Sequence, residues 1–503
     1  MKIVFDIETD GLYHEATSTH LIAVYGLQGD GVEGRSFAYA DDKVADEDGL
    51  ISDALRLLSK ADELVGQNII NFDLPVLKKL YGWEPSEGTR ITDTLVISRL
   101  LNPDRARPSG YTGKGGPHSL EAWGYRLGKP KVENEEWGVY NTNILSRGRE
   151  DVGINALLYN VLQEEMKGHD WAEALELEHE VARIITQQEI NGVNFDKDKA
   201  DWLVEHLNER IANVDNELLP NLPVSIKPSG VPVTRPFKNN GEYSKMVLDW
   251  YPELEDNVGG FVGGPFSRIT KHTISLNSPV QVKKFLLSQG WQPTEWNYKD
   301  GEPTSPKLTE DSYTSIKGGF GKLITDRSLF SHRRNQIQGW VQRIRSDGRF
   351  TAAANTIGTP TRRFRHIGLV NVPKSTTYPK EHERAGELVY LDDPKFQKVP
   401  FGTEMRSLFC HTPGRVFVGK DASGLELRLL AHYMGDKDYI YEVLHGDIHS
   451  ANQNAAGLPT RDDAKTFIYA FLYGAGDAKI GSIVGGDARD GAELKKQFLS
   501  SLP

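Results

Sequence analysis

The chain opens MKIVFDIETD (Met1–Asp10), and the reading of that run decides the first fold. Ile3, Val4, Phe5 and Ile7 give it the composition of a β-strand. Asp6 and Glu8 sit two positions apart, so on a strand both carboxylates leave the same face. Two like charges side by side are unfavourable unless a cation fills the gap between them. A solvated sheet face carries the same pattern, and the pair alone leaves both readings open. Working outward, a second β-like run, LIAVYGL (Leu21–Leu27), alternates with helix-like segments as far as the 160s. That is the pattern of an α/β domain.

At 503 residues the chain is too long for one core and is expected to divide into two or three domains. No apolar run is long enough to cross a bilayer, and the first residues lack the pattern of a signal peptide. A single cysteine, Cys410, excludes an internal disulfide and every cysteine-cluster metal site, so a cytosolic protein is expected. The net charge of −11 conceals a local excess: between His332 and Lys374 stand nine Lys/Arg and one acid, Asp347. Such a segment points to phosphate contact. A helix-favouring stretch from Asp170 to Arg210 precedes a Pro/Gly-rich region, Leu219–Pro279, expected as an irregular or β-ribbon insertion. SPVQVKKFLLSQGW (Ser278–Trp291) reads as a helix opened by a Ser-Pro cap. Near the end RVFVGKDAS (Arg415–Ser423) reads as a strand followed by helices.

Two further acids extend the first pair. GQNIINFDLPVLKKL (Gly66–Leu80) places Asp73 at the start of a helix, and SRGREDVGINALLYNVL (Ser146–Leu162) places Asp151 on an amphipathic one. Four acids from separated elements can converge on two Mg²⁺, with Mn²⁺ as the alternative ion. D-x-E, then N…F-D, then a late Asp resembles the three motifs of the DnaQ-like 3′→5′ exonucleases. The resemblance implies a ribonuclease H-like exonuclease domain over residues 1–165. It also implies that Asp6, Glu8, Asp73 and Asp151 are its catalytic metal ligands, with Glu8 orienting the attacking water. Where that family places a water-positioning Tyr, four residues before the last Asp, this chain has Arg147. The departure implies reduced activity or a substitute; Tyr140 is near in sequence but out of register. HSLEAWGYRLG (His118–Gly128) and ITDTLVISRLLNP (Ile91–Pro103) are similar to the proofreading domain of short-tailed phage replicative polymerases.

A second constellation lies in the last third. KDASGLELRLLAHY (Lys420–Tyr433) puts Asp421 after an apolar run, a place suited to anchoring a metal and equally to capping a helix. In RDDAKTFIYAFLYGAG (Arg461–Gly476), Arg461, Lys465, Tyr469 and Tyr473 recur every four residues and form one helical stripe. Two cations followed by two aromatics suit a triphosphate with a sugar and base beyond it. These segments resemble motifs A and B of family A, the DNA polymerase I family. The resemblance implies that Asp421 is a catalytic metal ligand with the Ala422 carbonyl as companion. Glu426, paired with Tyr469, would exclude a ribose 2′-hydroxyl. Arg461, Lys465 and His449 would hold the triphosphate, with Arg406 in GTEMRSLF as a further nucleotide-side arginine. Lys465 would stand beside the departing pyrophosphate. TPTRRFRHIGLVNVP (Thr359–Pro373) resembles the segment that reads the primer-template, which assigns Arg363 to DNA, with Arg362, where Gly is usual, as a further phosphate contact; Tyr473, at the end of motif B, is likewise assigned to DNA. EHEVARIITQQEINGVNFD (Glu178–Asp196) resembles the start of the polymerase domain, so residues 166–503 are expected to form an incomplete right hand of thumb, palm and fingers.

The family's motif C, which carries the second metal-binding aspartate, has no match; His169-Asp170 is the sole His-Asp pair and lies on the wrong side of motif A. The expectation is an N-terminal subunit or fragment of a phage replicative DNA polymerase, completed by a second polypeptide, or else a shortened sequence. Its partners would be primer-template DNA and dNTPs in the cytoplasm of the infected bacterium. Related phage polymerases carry, where Leu219–Pro279 stands, an insertion that binds host thioredoxin as a processivity clamp; here the region is less basic, and a plain thumb loop is the preferred reading, with thioredoxin docking as the alternative. A stand-alone exonuclease with a polymerase-like grip on DNA is the competing function, and a non-catalytic DNA-binding scaffold the third.

Overall fold

Apolar side chains on both faces of β1 (Lys2–Thr9) place that strand inside a sheet with helices on either side. A computed structural model describes residues 1–28, 34–129, 138–255, 265–293, 296–299, 302–307, 320–397 and 399–501. β1 pairs antiparallel with β2 (Thr19–Gln28), which pairs with β3 (Ser36–Tyr39). On its other edge β1 runs parallel to β4 (Glu63–Gly66), and β4 to β5 (Arg90–Asp93), giving the order β3-β2-β1-β4-β5. Ile3, Phe5 and Ile7 pack against α1 (Ile51–Leu58) and α2 (Asp73–Tyr81). Val4, Leu21 and Ala23 face the opposite way, onto α5 (Thr142–Glu165). Two shorter helices, α3 (Thr94–Leu101) and α4 (Leu120–Arg126), close the β5 side through Ile97 and Trp123 against α5.

α6 (Ala172–Asn191) leads to β6 (Val193–Phe195), the middle strand of a small sheet with β11 (Arg349–Phe350) and β14 (Phe409–Cys410). α7 (Lys197–Leu218) packs along α10 (Phe320–Val341) over a core of Leu203, Leu207, Ile337 and Trp340. In the Pro/Gly-rich region β7 (Val224–Val233) and β8 (Phe266–Thr273) form an antiparallel ribbon with α8 (Lys245–Trp250) between them. The expected β-ribbon is therefore present, and residues 256–264 lie outside the described residues. The helix expected after Ser278 is α9 (Pro279–Ser288), with Ser278 as its N-cap. β9 (Trp296–Lys299) and β10 (Glu302–Pro306) make a hairpin, as do β12 (Ala353–Asn355) and β13 (Arg365–Ile367). α11 (Gly402–Ser407) precedes β14.

The chain divides into two bodies, Met1–Gly414 and Arg415–Pro503. The second is helical: α12 (Leu425–Met434), α13 (Lys437–His445), α14 (Ile448–Ala456), α15 (Arg461–Leu472), α16 (Asp477–Ile483) and α17 (Ala488–Ser501) surround Leu427, Phe467, Ile468 and Phe498. The strand expected over Arg415–Ser423 is not formed. Val416, Phe417 and Val418 are instead 78%, 62% and 89% exposed. A strand is held by backbone bonds to neighbours, and among the described residues this segment has none. No described helix is long and apolar enough to cross a membrane.

Candidate functional site

The two-residue period of β1 turns Asp6 and Glu8 to the α5 side of the sheet, while Ile7 points into the opposite core. α5 is held close there, because a Cβ on Gly148 would lie 2.4 Å from the Leu21 Cδ2. Asp151, one turn further on, comes down beside the strand. Carboxylate oxygens of Asp6, Glu8 and Asp151 all lie within 4.8 Å of one another. Three hard oxygen donors on a rigid strand and helix fit a divalent cation such as Mg²⁺ or Mn²⁺.

Asp73 stands apart from that cluster. It arrives at the start of α2, from the helix layer on the other face of the sheet, and its Oδ1 accepts the Ile7 backbone N–H at 3.0 Å. Burial pushes its carboxyl well above the ordinary aspartate range, and the charges of Asp93 and Glu8 add to the rise. Arg147 lies 3.5 Å (Nε) from Glu8 Oε1 and 3.8 Å from Asp151 Oδ2. Tyr140 is not a substitute for a water-positioning tyrosine. It is buried against β2 and β3, and its hydroxyl donates to Glu47 at 3.0 Å.

Several groups around this centre carry no motif in the sequence. Asp93 caps α3 and accepts four backbone N–H groups, from Asn68, Ile70, Leu95 and Val96. Its own N–H donates to His179 Nε2 at 2.9 Å, while His179 Nδ1 donates to the Leu175 carbonyl, which fixes α6 against the sheet edge. Beside the ends of β4 and β5 runs a cleft of about 440 Å³ that includes Gln67, Arg99, His118 and Arg365. Burial and the nearby Arg365 lower the Arg99 pKa. His118 is pushed down to about 4, by burial and by Arg99, Arg105 and Arg126. An Asp-Thr helix start flags Asp93 in retrospect; nothing in SRLL (Ser98–Leu101) flags Arg99.

Arg362 and Arg363 occupy a tight turn in which Gly358 N–H donates to the Arg363 carbonyl at 2.9 Å. Arg362 has φ 59°, a conformation that favours glycine, and its Nη2 reaches the Leu100 carbonyl at 3.5 Å. Two of the nine basic residues in this segment are structural. Arg349 bonds the Asn191 and Gly192 carbonyls and Asn194, and Arg345 pairs with Asp347 and the Glu189 and Ile190 carbonyls. Arg406 donates to the Pro373 carbonyl at 2.9 Å.

In the second body Ala464, Phe467 and Ile468 bury one face of α15. Arg461, Lys465 and Tyr469 follow one another along the other face, and Tyr473 caps its end. Arg461 makes a two-pronged ion pair with Asp447 at 2.7 and 3.0 Å, which holds the Asp447 carboxyl below the usual range. Asp447 in turn caps α14 at His449, whose ring lies 6.3 Å from that of Tyr469. Burial, then the charges of Arg461 and Lys465, lower the His449 pKa. The expected Glu426–Tyr469 pairing is replaced: the Tyr473 hydroxyl, one turn further on, donates to Glu426 Oε1 at 2.8 Å. Asp421 and Ala422 lie in the exposed extended segment before α12 rather than at the end of a strand.

Comparison with known proteins gives two family matches: RNase_H superfamily over residues 3–105 and DNA polymerase family A over residues 265–503. The DNA-directed DNA polymerase of Enterobacteria phage T3 is 30% identical over the whole chain, which covers 79% of that relative. That of Escherichia phage T7 is 29% identical with the same coverage. In structure, the POL domain of Pol1 from M. smegmatis superposes with a TM-score of 0.64 at 15% identity, covering all of this chain and 72% of that one.

Proposed function

The chain belongs to DNA polymerase family A, and from that premise we propose that it is a bacteriophage template-directed DNA polymerase with a proofreading 3′→5′ exonuclease, acting in the cytoplasm of the infected bacterium. In this reading residues 1–165 are the exonuclease domain and 166–503 the polymerase domain. The observation that carries it is the convergence of Asp6, Glu8 and Asp151 in a chain that also presents the Arg461–Lys465–Tyr469–Tyr473 stripe.

For the exonuclease, Asp6, Glu8 and Asp151 hold the divalent cation, and Asp73 stiffens β1 beneath them through the Ile7 N–H. A bound cation supplies an activated water and a counter-charge for the leaving 3′ oxygen. The cleft with Gln67, Arg99 and Arg365 suits the backbone of the strand being trimmed, because it opens at the same carboxyl ends of the parallel strands. Arg362 and Arg363 contact the primer-template.

For the polymerase, Asp421 and Ala422 bind metal. Arg461, Lys465 and His449 bind the triphosphate, and Tyr469 receives the sugar and base, with Tyr473 toward DNA. Glu426, fixed by Tyr473, excludes the 2′-hydroxyl. The segment around Val416–Val418 needs a sheet partner, and nucleotidyl transfer needs a second aspartate. In this reading a second polypeptide supplies both. Host thioredoxin docking on the β7–β8 region is a further part of the reading, supported by position alone.

Equilibrium binding of a fluorescent dNTP to the chain on primer-template tests the nucleotide site. Lys465→Ala should weaken binding by about tenfold, the scale of one charge-assisted contact. Glu426→Ala should narrow the preference for dNTP over rNTP. Unchanged binding in both variants contradicts the assignment.

A further inference from the structure

The exonuclease carboxylates already face a cation of the chain's own. Arg147 precedes Asp151 by one helical turn, so both side chains leave α5 on the same side. Its Nε lies 3.5 Å from Glu8 and 3.8 Å from Asp151, two of the three carboxylates that lie together. The group is sheltered, with side-chain exposures of 20% for Arg147, 12% for Glu8 and 5% for Asp151, so water screens these charges weakly. Gly148, next to Arg147, lets α5 come close to β2, since a Cβ there would lie 2.4 Å from Leu21 Cδ2.

We propose that Arg147 is a resident counter-ion of this centre: it holds Glu8 and Asp151 together in the metal-free protein and opposes the entry of a divalent cation. Two consequences follow from charge alone. Without metal, three clustered carboxylates repel one another, and the guanidinium offsets part of that repulsion. With metal, a fixed positive charge beside two of the ligands weakens binding, so the site fills only at raised cation concentration. The exonuclease is thereby restrained relative to a site with a neutral residue at 147. This rests on the reading of Asp6, Glu8 and Asp151 as metal ligands.

The test uses the full chain without DNA and follows Mn²⁺ binding by the paramagnetic resonance signal of the free ion, alongside thermal unfolding. Arg147→Gln removes the charge, Arg147→Lys keeps it, and Asp6→Ala removes a ligand. The Gln variant should bind Mn²⁺ about tenfold or more tightly than the parent, a change of ~1.4 kcal/mol or more. It should also melt lower than the parent without metal and gain more on adding it. The Lys variant should stay near the parent. Because metal-free Gln is expected to be the least stable form, it is prepared in saturating Mn²⁺ and titrated downward; failure to fold even there overturns the proposal. Equal Mn²⁺ midpoints in parent and Gln variant, with Asp6→Ala weakened, overturn the role of Arg147 and leave the metal site standing. Parent binding that Asp6→Ala does not alter overturns the metal site itself and the proposal with it.

Discussion

Two glycines on α5 should respond to the same substitution with opposite signs. A Cβ added at Gly148 would lie 2.4 Å from Leu21 Cδ2 and 3.4 Å from Ala23 Cβ, whereas at Gly153 it would meet nothing within 4 Å. Ordinary carbon contacts lie near 3.5–4.0 Å, so Gly148→Ala demands a shift of roughly 1 Å. Leu21 is fully buried in a close-packed core, so relief comes chiefly through displacement of α5 from the sheet. Overpacking of this kind typically costs about 1–3 kcal/mol. Gly153→Ala should instead stabilise by about 0.5–1 kcal/mol, the helix-propensity difference. The same 1 Å shift moves Asp151 away from Asp6 and Glu8, and misplacement on that scale can lower a rate about 100-fold. Urea unfolding and 3′-nucleotide release, measured on both variants, give the comparison. If Gly148→Ala is as stable and as active as Gly153→Ala, the close packing of α5 does not position the centre.

Further expectations follow from other contacts. Arg362→Gly should stabilise by up to about 1 kcal/mol in thermal unfolding, since glycine adopts its φ of 59° without strain and the contact to Leu100 is weak. Glu189 accepts Asn71 Nδ2 at 3.1 Å and the Ala354 N–H at 3.3 Å, joining the loop before Asp73 to the β12–β13 hairpin. Glu189→Ala should cost about 1–3 kcal/mol and lower 3′-nucleotide release, as judged by unfolding and by end-labelled DNA. His118 bonds Ser98 Oγ at 2.9 Å, and its folded-state pKa near 4 lies below the 6.5 of an unperturbed histidine. The unfolded chain therefore binds the extra proton first, and stability should fall as pH drops from about 6.5 to about 4, by at most about 1.4 kcal/mol per pH unit. His118→Asn should remove that part of the slope in urea titrations at several pH values; an unchanged slope contradicts it.

The sequence disclosed what depends on local pattern. Alternation in KIVFDIET set both faces of β1, and four-residue spacing set the outward stripe on α15. Ser278 announced α9. What stayed hidden depends on partners distant in the chain. RVFVGKDAS has strand-forming residues, yet a strand needs neighbours, and its apolar side chains stand exposed. The choice of Tyr473 over Tyr469 as partner of Glu426 turns on how α12 and α15 pack, which spacing along one helix does not encode. Asp73 reads from the sequence as a fourth ligand, whereas the fold brings it in on α2, where it accepts the Ile7 N–H outside the three carboxylates that lie together. Arg345 and Arg349 looked like phosphate ligands and instead bond the carbonyls around β6. Arg147 departs from the family pattern in the sequence, and only the fold shows which acids it faces.

The most direct test of the whole account is the fate of a labelled primer annealed to a template in Mg²⁺ without dNTPs, for the parent chain and for Asp6→Ala. Stepwise loss of 3′ nucleotides is expected with the parent and none with the variant. A primer that keeps its length with both proteins, or shortens equally with both, contradicts the assignment of Asp6, Glu8 and Asp151 as an exonuclease centre.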